Sequence, residues 1–351
     1  MKLPTRILII RLGALGDIVH TLPILDPLRR EIPDAYIAWM AEDTWAPLLT
    51  HHTLIDEVIA IPKKRWRAGF LRPWNWLDTL SEVLDKRRDV VANRFDMAVD
   101  FQGNLKSGSI IVFCGARERI GYGRAGSREL NPIFLTRRVP FGENRIHRSE
   151  KALQLVRSVV GEAEYKRPDI PTSLEDDRFA RAAVGDRRGR PVVAIHPATS
   201  SFGAVKRWPI ESFAAVGDAL AEKHGASVFV TWGPGEKDLA EQVSRAMSRP
   251  ARVSPETREL GQLVALLREC DLFIGSDTGP LHIASAVGTP VVAIFGPKDP
   301  AVYGPRGAPH RIVRVDLPCS PCTKRKCDNP ICMTSITPEA VTAAAAELLA
   351  P

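Results

Sequence analysis

The chain has 351 residues, of which 44% are hydrophobic and 25% are charged, a composition typical of a globular protein with room for two domains. Its formal net charge of +7 favours an anionic partner, which could be a nucleic acid, a membrane surface or an acidic substrate. No run approaches the roughly 18 apolar residues of a membrane span, and no signal peptide precedes the first strand. We therefore expect a cytoplasmic protein rather than an integral membrane or secreted one.

Short apolar runs alternate with helix-like stretches along the whole chain. In the first half, strands are predicted at 7–10, 36–40, within 55–61 and at 97–100, and helices at 17–31 and 77–93. In the second half, strands are predicted at 192–195, 227–231, 272–274 and 291–294, and helices at 209–223, 236–247, 260–269 and 279–286. This alternation predicts an α/β protein with parallel sheets and right-handed crossovers.

A charged stretch between about 169 and 190 has the composition of an interdomain connection. We predict a first Rossmann-like domain over 1–175 and a second over 190–335. The alanine-rich segment 336–351 is predicted to form a final helix that packs back on the first domain.

The first strand breaks into a glycine turn, Arg11-Leu-Gly-Ala-Leu-Gly-Asp17. In open α/β sheets such turns lie at the carboxyl edge, where ligands bind. There Asp17 could act as a general base on an acceptor hydroxyl; the structural alternative is that it only caps the next helix. The third glycine of a dinucleotide fingerprint is missing, which argues against a dinucleotide-dependent oxidoreductase.

Three turns of the second half carry groups suited to a nucleotide diphosphate. The loop His196-Pro-Ala-Thr-Ser-Ser201 offers hydroxyls, and Lys206 follows it as a point charge for a leaving phosphate. Glu236 comes after another glycine turn and could accept a ribose hydroxyl. The strongest motif is Gly275-Ser-Asp-Thr-Gly-Pro-Leu-His282, in which Gly279 permits close backbone approach. For each turn the alternative is a solvated loop or a helix end without a ligand.

Two further clusters stand out. The basic run Lys63-Lys-Arg-Trp-Arg67 could recognise an acidic acceptor, or could simply be a solvated loop anchored by its aromatic neighbours. The C-terminal thiols could hold a structural zinc ion or an iron–sulfur cluster; a metal-free structural loop is the alternative. These thiols are Cys319, Cys322, Cys327 and Cys332.

The chain resembles the lipopolysaccharide heptosyltransferases of glycosyltransferase family 9 over nearly its full length. Four motifs in the same order carry the resemblance: Gly16-Asp17-Ile-Val-His-Thr-Leu-Pro23, Asp100-Phe-Gln-Gly-Asn-Leu-Lys-Ser107, Lys206-Arg-Trp-Pro209 and Asp277-Thr-Gly-Pro-Leu-His282. The stretch 64–67 is most similar to the first heptosyltransferase of the inner core, whereas 201–206 is more similar to the second.

The resemblance implies a GT-B fold, in which two Rossmann-like domains face a central cleft. It implies inverting transfer of L-glycero-D-manno-heptose from ADP-heptose to Kdo of the lipopolysaccharide inner core. No cofactor is required for this chemistry. The partners are ADP-heptose and an anionic, lipid-linked Kdo acceptor at the inner face of the membrane, with which the enzyme associates peripherally.

The resemblance also implies roles for individual residues. Asp17 is the base, and Lys206 stabilises the leaving diphosphate. Donor-binding residues are Thr199, Ser200, Lys206, Glu236, Asp277, Thr278, Gly279 and His282. Acceptor-binding residues are Lys64, Arg65, Arg67, Lys106, Arg128 and Lys151.

The sequence is also compatible with other functions. Within the family, the enzyme could act on a later core position or use another donor sugar. A Rossmann oxidoreductase is a different class, disfavoured by the incomplete fingerprint. A nucleic-acid-binding protein would account for the charge, but the chain contains no recognisable nucleic-acid module and no aromatic stacking platform, so no nucleic acid is expected as a partner.

Overall fold

The computed structural model describes residues 4–142 and 145–350, without the side chains of Ser201 and Phe202. The chain divides into two compact units, Met1–Lys166 and Arg167–Pro351. None of the described helices is both long enough and apolar enough to cross a bilayer.

The first unit contains a parallel six-stranded sheet in the order β3-β2-β1-β4-β5-β6. Its strands are β1 (Arg6–Ile10), β2 (Tyr36–Glu42), β3 (Glu57–Ile61), β4 (Met97–Asp100), β5 (Glu118–Tyr122) and β6 (Arg137–Val139). Its helices are α1 (Leu15–Thr21), α2 (Leu25–Glu31), α3 (Lys63–Phe70), α4 (Trp76–Ala92), α5 (Leu105–Phe113) and α6 (Arg148–Val160). The continuous apolar run of β1 is buried because helices cover both faces of a parallel sheet.

The second unit repeats this arrangement, with a parallel sheet in the order β12-β11-β10-β7-β8-β9. Its strands are β7 (Val192–His196), β8 (Ser227–Val230), β9 (Ala251–Val253), β10 (Leu272–Ser276), β11 (Val291–Ile294) and β12 (His310–Val313). Its helices are α7 (Leu174–Val184), α8 (Ile210–His224), α9 (Lys237–Ala246), α10 (Leu260–Arg268), α11 (Gly279–Val287), α12 (Pro300–Tyr303), α13 (Ile331–Thr334) and α14 (Pro338–Leu349).

Each sheet has one point at which the strand order reverses. In the first sheet this point lies between β1 and β4, where Ile10 is paired with Asp100. In the second it lies between β7 and β10, where Ile195 is paired with Ile274. Because the loops after two such strands run to opposite faces of the sheet, they leave a crevice at the carboxyl edge. The predicted glycine turns follow β1 and β10 and therefore lie at these two crevices.

The predicted strands of the two sheet centres are confirmed. No strand was predicted at β5, β6, β9 or β12; β5 is an interior strand, whereas β6, β9 and β12 form sheet edges and are short and rich in Arg or His. The predicted helix 17–31 was wrong in its continuity. A 3₁₀ turn at Leu22–Ile24 separates α1 from α2, because Pro23 cannot donate the helical hydrogen bond.

The basic run near residue 63 and the C-terminal segment are both helical. The basic run 63–67 is part of α3 rather than a loop. The last helix, α14, packs against α8 and the strands β10, β11 and β12, and its Val341 and Ala345 lie in the core of the second unit. These contacts lie within the second unit, and packing of this helix on the first domain stays a prediction.

Candidate active site

Asp17 lies in the first turn of α1, directly after the glycine turn of the first unit. Its carboxylate is paired with Arg11, with 2.7 Å between Nη2 and Oδ2. The same guanidinium donates to the carbonyl oxygen of Phe101, at 2.6 Å, just beyond the end of β4. Arg11 is buried and therefore holds the Asp17 carboxylate at the crevice between β1 and β4. A side chain at Gly13 would collide with the ring of Trp45, so this turn requires glycine.

A small pocket that opens to solvent surrounds the Asp17 carboxylate. Its walls combine one carboxylate with several cations and aromatic rings. The lining residues are Arg11, Asp17, His20, Thr21, Phe101, Tyr122, Arg148, Lys151 and Ala152. A base beside a cationic wall is suited to a hydroxyl acceptor that carries negative charge.

Lys151 lines this pocket, and its surroundings disfavour the protonated, positively charged form of its amine. Its ammonium group lies 4.3 Å from the ring centre of Tyr122 and donates to the carbonyl oxygen of Gly126. Burial, together with the charges of Arg148, Arg11 and Arg128, lowers the pKa of Lys151 to about 8. An anionic ligand in this pocket would favour the protonated form again.

We expect the kcat/KM for an anionic acceptor to fall as the pH rises through about 8, because Lys151 loses its charge there. Lys151→Arg keeps the positive charge at every pH of interest and should move this decline to higher pH. The measurement is a pH profile of kcat/KM for the acceptor, with the profile for the donor as control. An unchanged decline in the variant would assign it to another group.

Lys106, a predicted acceptor residue outside the pocket, belongs to a second ion-pair network. The carboxylate of Glu42, at the end of β2, pairs with Lys63 at 2.8 Å and with Lys106 at 2.6 Å. This pairing ties the start of α3 to α5 at the carboxyl edge of the sheet. Lys64, Arg65 and Arg67 lie exposed on α3 and do not line the pocket.

Asp100, the last residue of β4, is fully buried beneath the loop that leads to α5 and Lys106. Its carboxylate accepts hydrogen bonds from the backbone N–H groups of Gln102 and Gly103 and from the side chains of Ser107 and Asn131. Burial raises the pKa of Asp100 despite these four donors. The motif 100–107 is thus a rigid scaffold, whose α5 begins with a capping box between Asn104 and Ser107.

In the second unit, the predicted donor residues follow three neighbouring strands, β10, β7 and β8. Thr199 lies in the loop after β7, Glu236 immediately before α9, and Asp277 directly after β10. Because the carboxyl ends of parallel strands share one edge, these groups lie at the same side of the sheet. Thr199 is buried and its hydroxyl accepts from Arg207 at 3.2 Å, whereas Ser200 is exposed. The Ser201 hydroxyl, also predicted to bind phosphate, lies outside the described side chains.

Lys206 and His282 both bind Asp277. The Lys206 ammonium lies 3.1 Å from Oδ2, and His282 Nε2 lies 3.2 Å from Oδ1. Burial alone would raise the pKa of this carboxyl, but the His282 hydrogen bond and the Lys206 charge outweigh it and lower the pKa. Gly203 leaves the space for this arrangement, since its missing Cβ would lie 3.2 Å from Lys206 Cε. Lys206 is therefore not on a solvated loop.

The start of α11 offers hydroxyl groups to a ligand. Ser276 Oγ and Thr278 Oγ1 are buried and have no hydrogen-bond partner within the described part of the chain. Thr278 is the N-cap residue of α11, and Gly279 is its first residue. Free N–H groups and hydroxyls at a helix N-terminus are the groups that bind phosphate oxygens.

The Glu236 carboxylate accepts from the backbone N–H of Gly233 at 3.0 Å, and burial raises its pKa. His196 Nε2 is 4.0 Å from this carboxylate. Burial lowers the pKa of His196 to about 4, so the ring is neutral at physiological pH and the two do not form an ion pair. Glu236 keeps acceptor capacity for a ribose hydroxyl.

The predicted metal site receives no support from the described residues, among which no group of three or more His, Cys, Asp or Glu side chains is arranged to hold a metal ion. All four C-terminal cysteines are free thiols. Cys332 is drawn into the apolar core, while Cys319 and Cys327 are exposed. Backbone bonding holds this segment instead: Cys322 N donates to Pro297 O at 2.7 Å.

Sequence patterns did not identify Arg11, Tyr122 or Arg148 as site residues. Arg11 stands at the start of the quoted glycine turn, so a basic residue next to that turn was the available signal. Tyr122 and Arg148 reach the pocket from β5 and α6, which carry no glycine turn or motif.

Comparison with known proteins identifies the family and relatives of similar length. The family described as "Glycosyltransferase family 9 (heptosyltransferase)" matches residues 83–332, more than half of the chain. Lipopolysaccharide heptosyltransferase 1 of Pseudomonas aeruginosa is 28% identical over 99% of both chains. Lipopolysaccharide heptosyltransferase 1 of Escherichia coli K12 is 24% identical over 88% of this chain and 93% of its own.

Solved structures show the same fold. A family 9 glycosyl transferase from Veillonella parvula has a TM-score of 0.84 at 24% identity and covers 99% of this chain and 98% of its own. The E. coli heptosyltransferase WaaC with ADP has a TM-score of 0.78 at 22% identity and covers 98% of this chain and 99% of its own. The predicted fold class, α/β of GT-B type with two Rossmann-like sheets, is confirmed.

Proposed function

Because the chain belongs to glycosyltransferase family 9, we propose that this glycosyltransferase moves L-glycero-D-manno-heptose from ADP-heptose to Kdo of the lipopolysaccharide inner core. The observation that carries the proposal is the Asp17 carboxylate, held by Arg11 at the crevice of the first sheet in a pocket with a cationic wall. The relatives described above are lipopolysaccharide heptosyltransferases, which supports heptose as the sugar.

The proposed step is a single inverting displacement. The Asp17 carboxylate takes the proton of an acceptor hydroxyl as that oxygen forms a bond to the anomeric carbon. The bond from this carbon to the β-phosphate oxygen breaks, and ADP leaves with the bonding electron pair. The reaction needs a base for the acceptor and stabilisation for the leaving group, and each unit supplies one of them.

Lys206 and the start of α11 are assigned to the donor. An ADP diphosphate would accept hydrogen bonds from the ammonium of Lys206, which Asp277 holds in place, and from the hydroxyls of Ser276 and Thr278. The Glu236 carboxylate would accept a hydrogen bond from a ribose hydroxyl. Asp277, bonded to His282, would position Lys206. Asp277 is buried and bonded to both side chains, which suits a positioning role.

Lys64, Arg65, Arg67, Lys106, Arg128 and Lys151 are assigned to the acceptor. The acceptor that fits this cationic surface is Kdo-lipid A, which is anionic and lies in the inner membrane, and we propose that the enzyme associates peripherally with its cytoplasmic face. Lys151 lines the same pocket as Asp17, and the charge of Arg128 contributes to the lowered pKa of Lys151. The Glu42 pairing places α3 at the edge of the sheet from which the acceptor would enter.

Removing Arg65 and Arg67 together is expected to raise the acceptor KM by roughly fivefold to tenfold and to flatten its salt dependence, because two screened attractions are lost. The KM for ADP-heptose should stay unchanged. Arg245→Ala/Arg249→Ala, two exposed arginines of the second unit, is the matched control. A change in donor KM, or no change in either KM, would refute the acceptor assignment of α3.

The proposed function as a whole is tested by turnover of the purified enzyme with ADP-heptose and Kdo-lipid A. Transfer of heptose to Kdo is the expected result. Transfer only to an acceptor that already carries a heptose would assign the enzyme to a later core position, an alternative supported by the similarity of 201–206 to the second heptosyltransferase. Transfer from another nucleotide sugar would change the donor, and binding of NAD instead of ADP would reject the class.

A further inference from the structure

The helical hairpin formed by α3 and α4 has an unusual concentration of exposed apolar side chains. Half of the fourteen large hydrophobic side chains exposed in the described part of the chain fall within residues 70–84. We define them together as the α3–α4 patch: Phe70, Leu71, Trp74, Trp76, Leu77, Leu80 and Leu84. Single exposed apolar residues are ordinary, but contiguous groups mark interaction surfaces.

The direction in which α4 faces makes the patch informative. Thr79, Val83 and Val90 form the inner side of α4, whereas Leu77, Leu80 and Leu84 recur every three or four residues on the outer side. A surface helix normally presents polar residues outwards. Leu77 is 81% exposed, so its apolar side chain is largely unburied within the unit.

The patch is also preformed. Trp76 Nε1 donates to the carbonyl oxygen of Phe70 at 2.7 Å, which fixes the connection between the two helices. Gly69 packs so closely on Thr79 that a side chain there would collide with its hydroxyl, and Arg65 pairs with Glu82 across the hairpin. A rigid surface loses little conformational freedom when it binds.

The charge around the patch identifies its occupant. Residues 63–94 contain nine Lys or Arg and only four Asp or Glu. Arg72 lies between Leu71 and Trp74 in sequence, and Arg87 and Arg88 follow Leu84 by one helical turn on the outer side of α4. Trp and Leu bordered by Arg is the pattern of a surface that inserts into the interface of an anionic bilayer. A second copy of the same surface would be repelled by its own positive charge.

We propose that the α3–α4 patch is the membrane-docking surface of this protein, with Trp74, Trp76, Leu71 and Leu77 entering the headgroup region of an anionic phospholipid bilayer. The inference rests on the proposed function only for its biological setting, because docking itself requires neither donor nor acceptor. The basic residues of α3 then lie beside the lipid surface from which a lipid-linked acceptor is taken.

The test measures binding of the full-length protein to sedimentable vesicles, without substrates. We compare phosphatidylcholine vesicles that contain phosphatidylglycerol with pure phosphatidylcholine vesicles. Trp74→Gln/Leu77→Gln should lower the partition coefficient on the anionic vesicles by roughly tenfold, since two exposed apolar groups are lost. The matched control is Leu130→Gln/Leu174→Gln, whose side chains are 63% and 76% exposed outside the patch; it should bind like the unmodified protein.

Three results would overturn the inference: no binding of the unmodified protein to anionic vesicles, equal binding of the two double variants, or a change in oligomeric state by light scattering with unchanged vesicle binding. The last result would make the patch a protein interface.

Transfer to a water-soluble, lipid-free Kdo acceptor should not change in Trp74→Gln/Leu77→Gln. Vesicle binding by a protein without transferase activity would retain the docking surface and reject the proposed function, so the two failures are distinguishable.

Discussion

Replacing Asp17 by asparagine is expected to lower kcat by on the order of 100-fold or more while the affinity for ADP stays nearly unchanged. The amide is isosteric with the carboxylate but cannot accept the proton of the acceptor hydroxyl. It also removes the negative charge that pairs with Arg11 at 2.7 Å, whereas the bond from this guanidinium to the Phe101 carbonyl oxygen remains. The measurement is kcat from steady-state kinetics together with ADP affinity from calorimetry.

The control for this variant is Asp34→Asn, because Asp34 is an exposed aspartate of the same unit and lies outside the pocket. Its kcat should equal that of the unmodified enzyme. Thermal unfolding of both variants separates a chemical effect from a loss of structure. Near-normal turnover in Asp17→Asn would show that another group takes the proton.

Replacing Lys206 by alanine is expected to lower kcat/KM for ADP-heptose by about 100-fold, which corresponds to about 3 kcal/mol. The variant loses the cation that would stabilise the leaving diphosphate. It also leaves the buried Asp277 carboxylate with His282 but without its ammonium partner at 3.1 Å, and an unpaired negative charge would then face the phosphates. Steady-state kinetics and ADP affinity both report this loss.

Lys223→Ala is the matched control, since Lys223 is an exposed lysine in the last turn of α8 in the same unit. It should change neither rate nor affinity. Lys206→Arg keeps the charge and should recover part of the ADP affinity, although the bulkier group meets the narrow space beside Gly203. Unchanged donor kinetics in Lys206→Ala would contradict the assignment of this lysine to the diphosphate.

The α/β class and the positions of Asp17, Thr199 and Asp277 were predictable from the sequence. Each depends on a local signal, an apolar run that ends in glycine or small polar residues and then opens a helix. Such a signal is contained within about ten residues, because a buried parallel strand must be apolar on both faces and the turn after it must be compact. The edge strand β6, with the sequence Arg-Arg-Val, carries no such signal and was missed.

By itself, the sequence determined two parallel sheets, the turns at their centres and the chemical groups in those turns. The tertiary structure alone decided how these groups are paired: Arg11 with Asp17 and Phe101, Lys206 with Asp277 across 71 residues, and Tyr122 and Lys151 around one pocket. It also decided that α4 turns its leucines outwards. The reason is that sequence periodicity reports which residues share a face of a helix or strand. What that face packs against, and which group pairs with a given charge, depends on the order of strands in the sheet, which joins residues far apart in the chain.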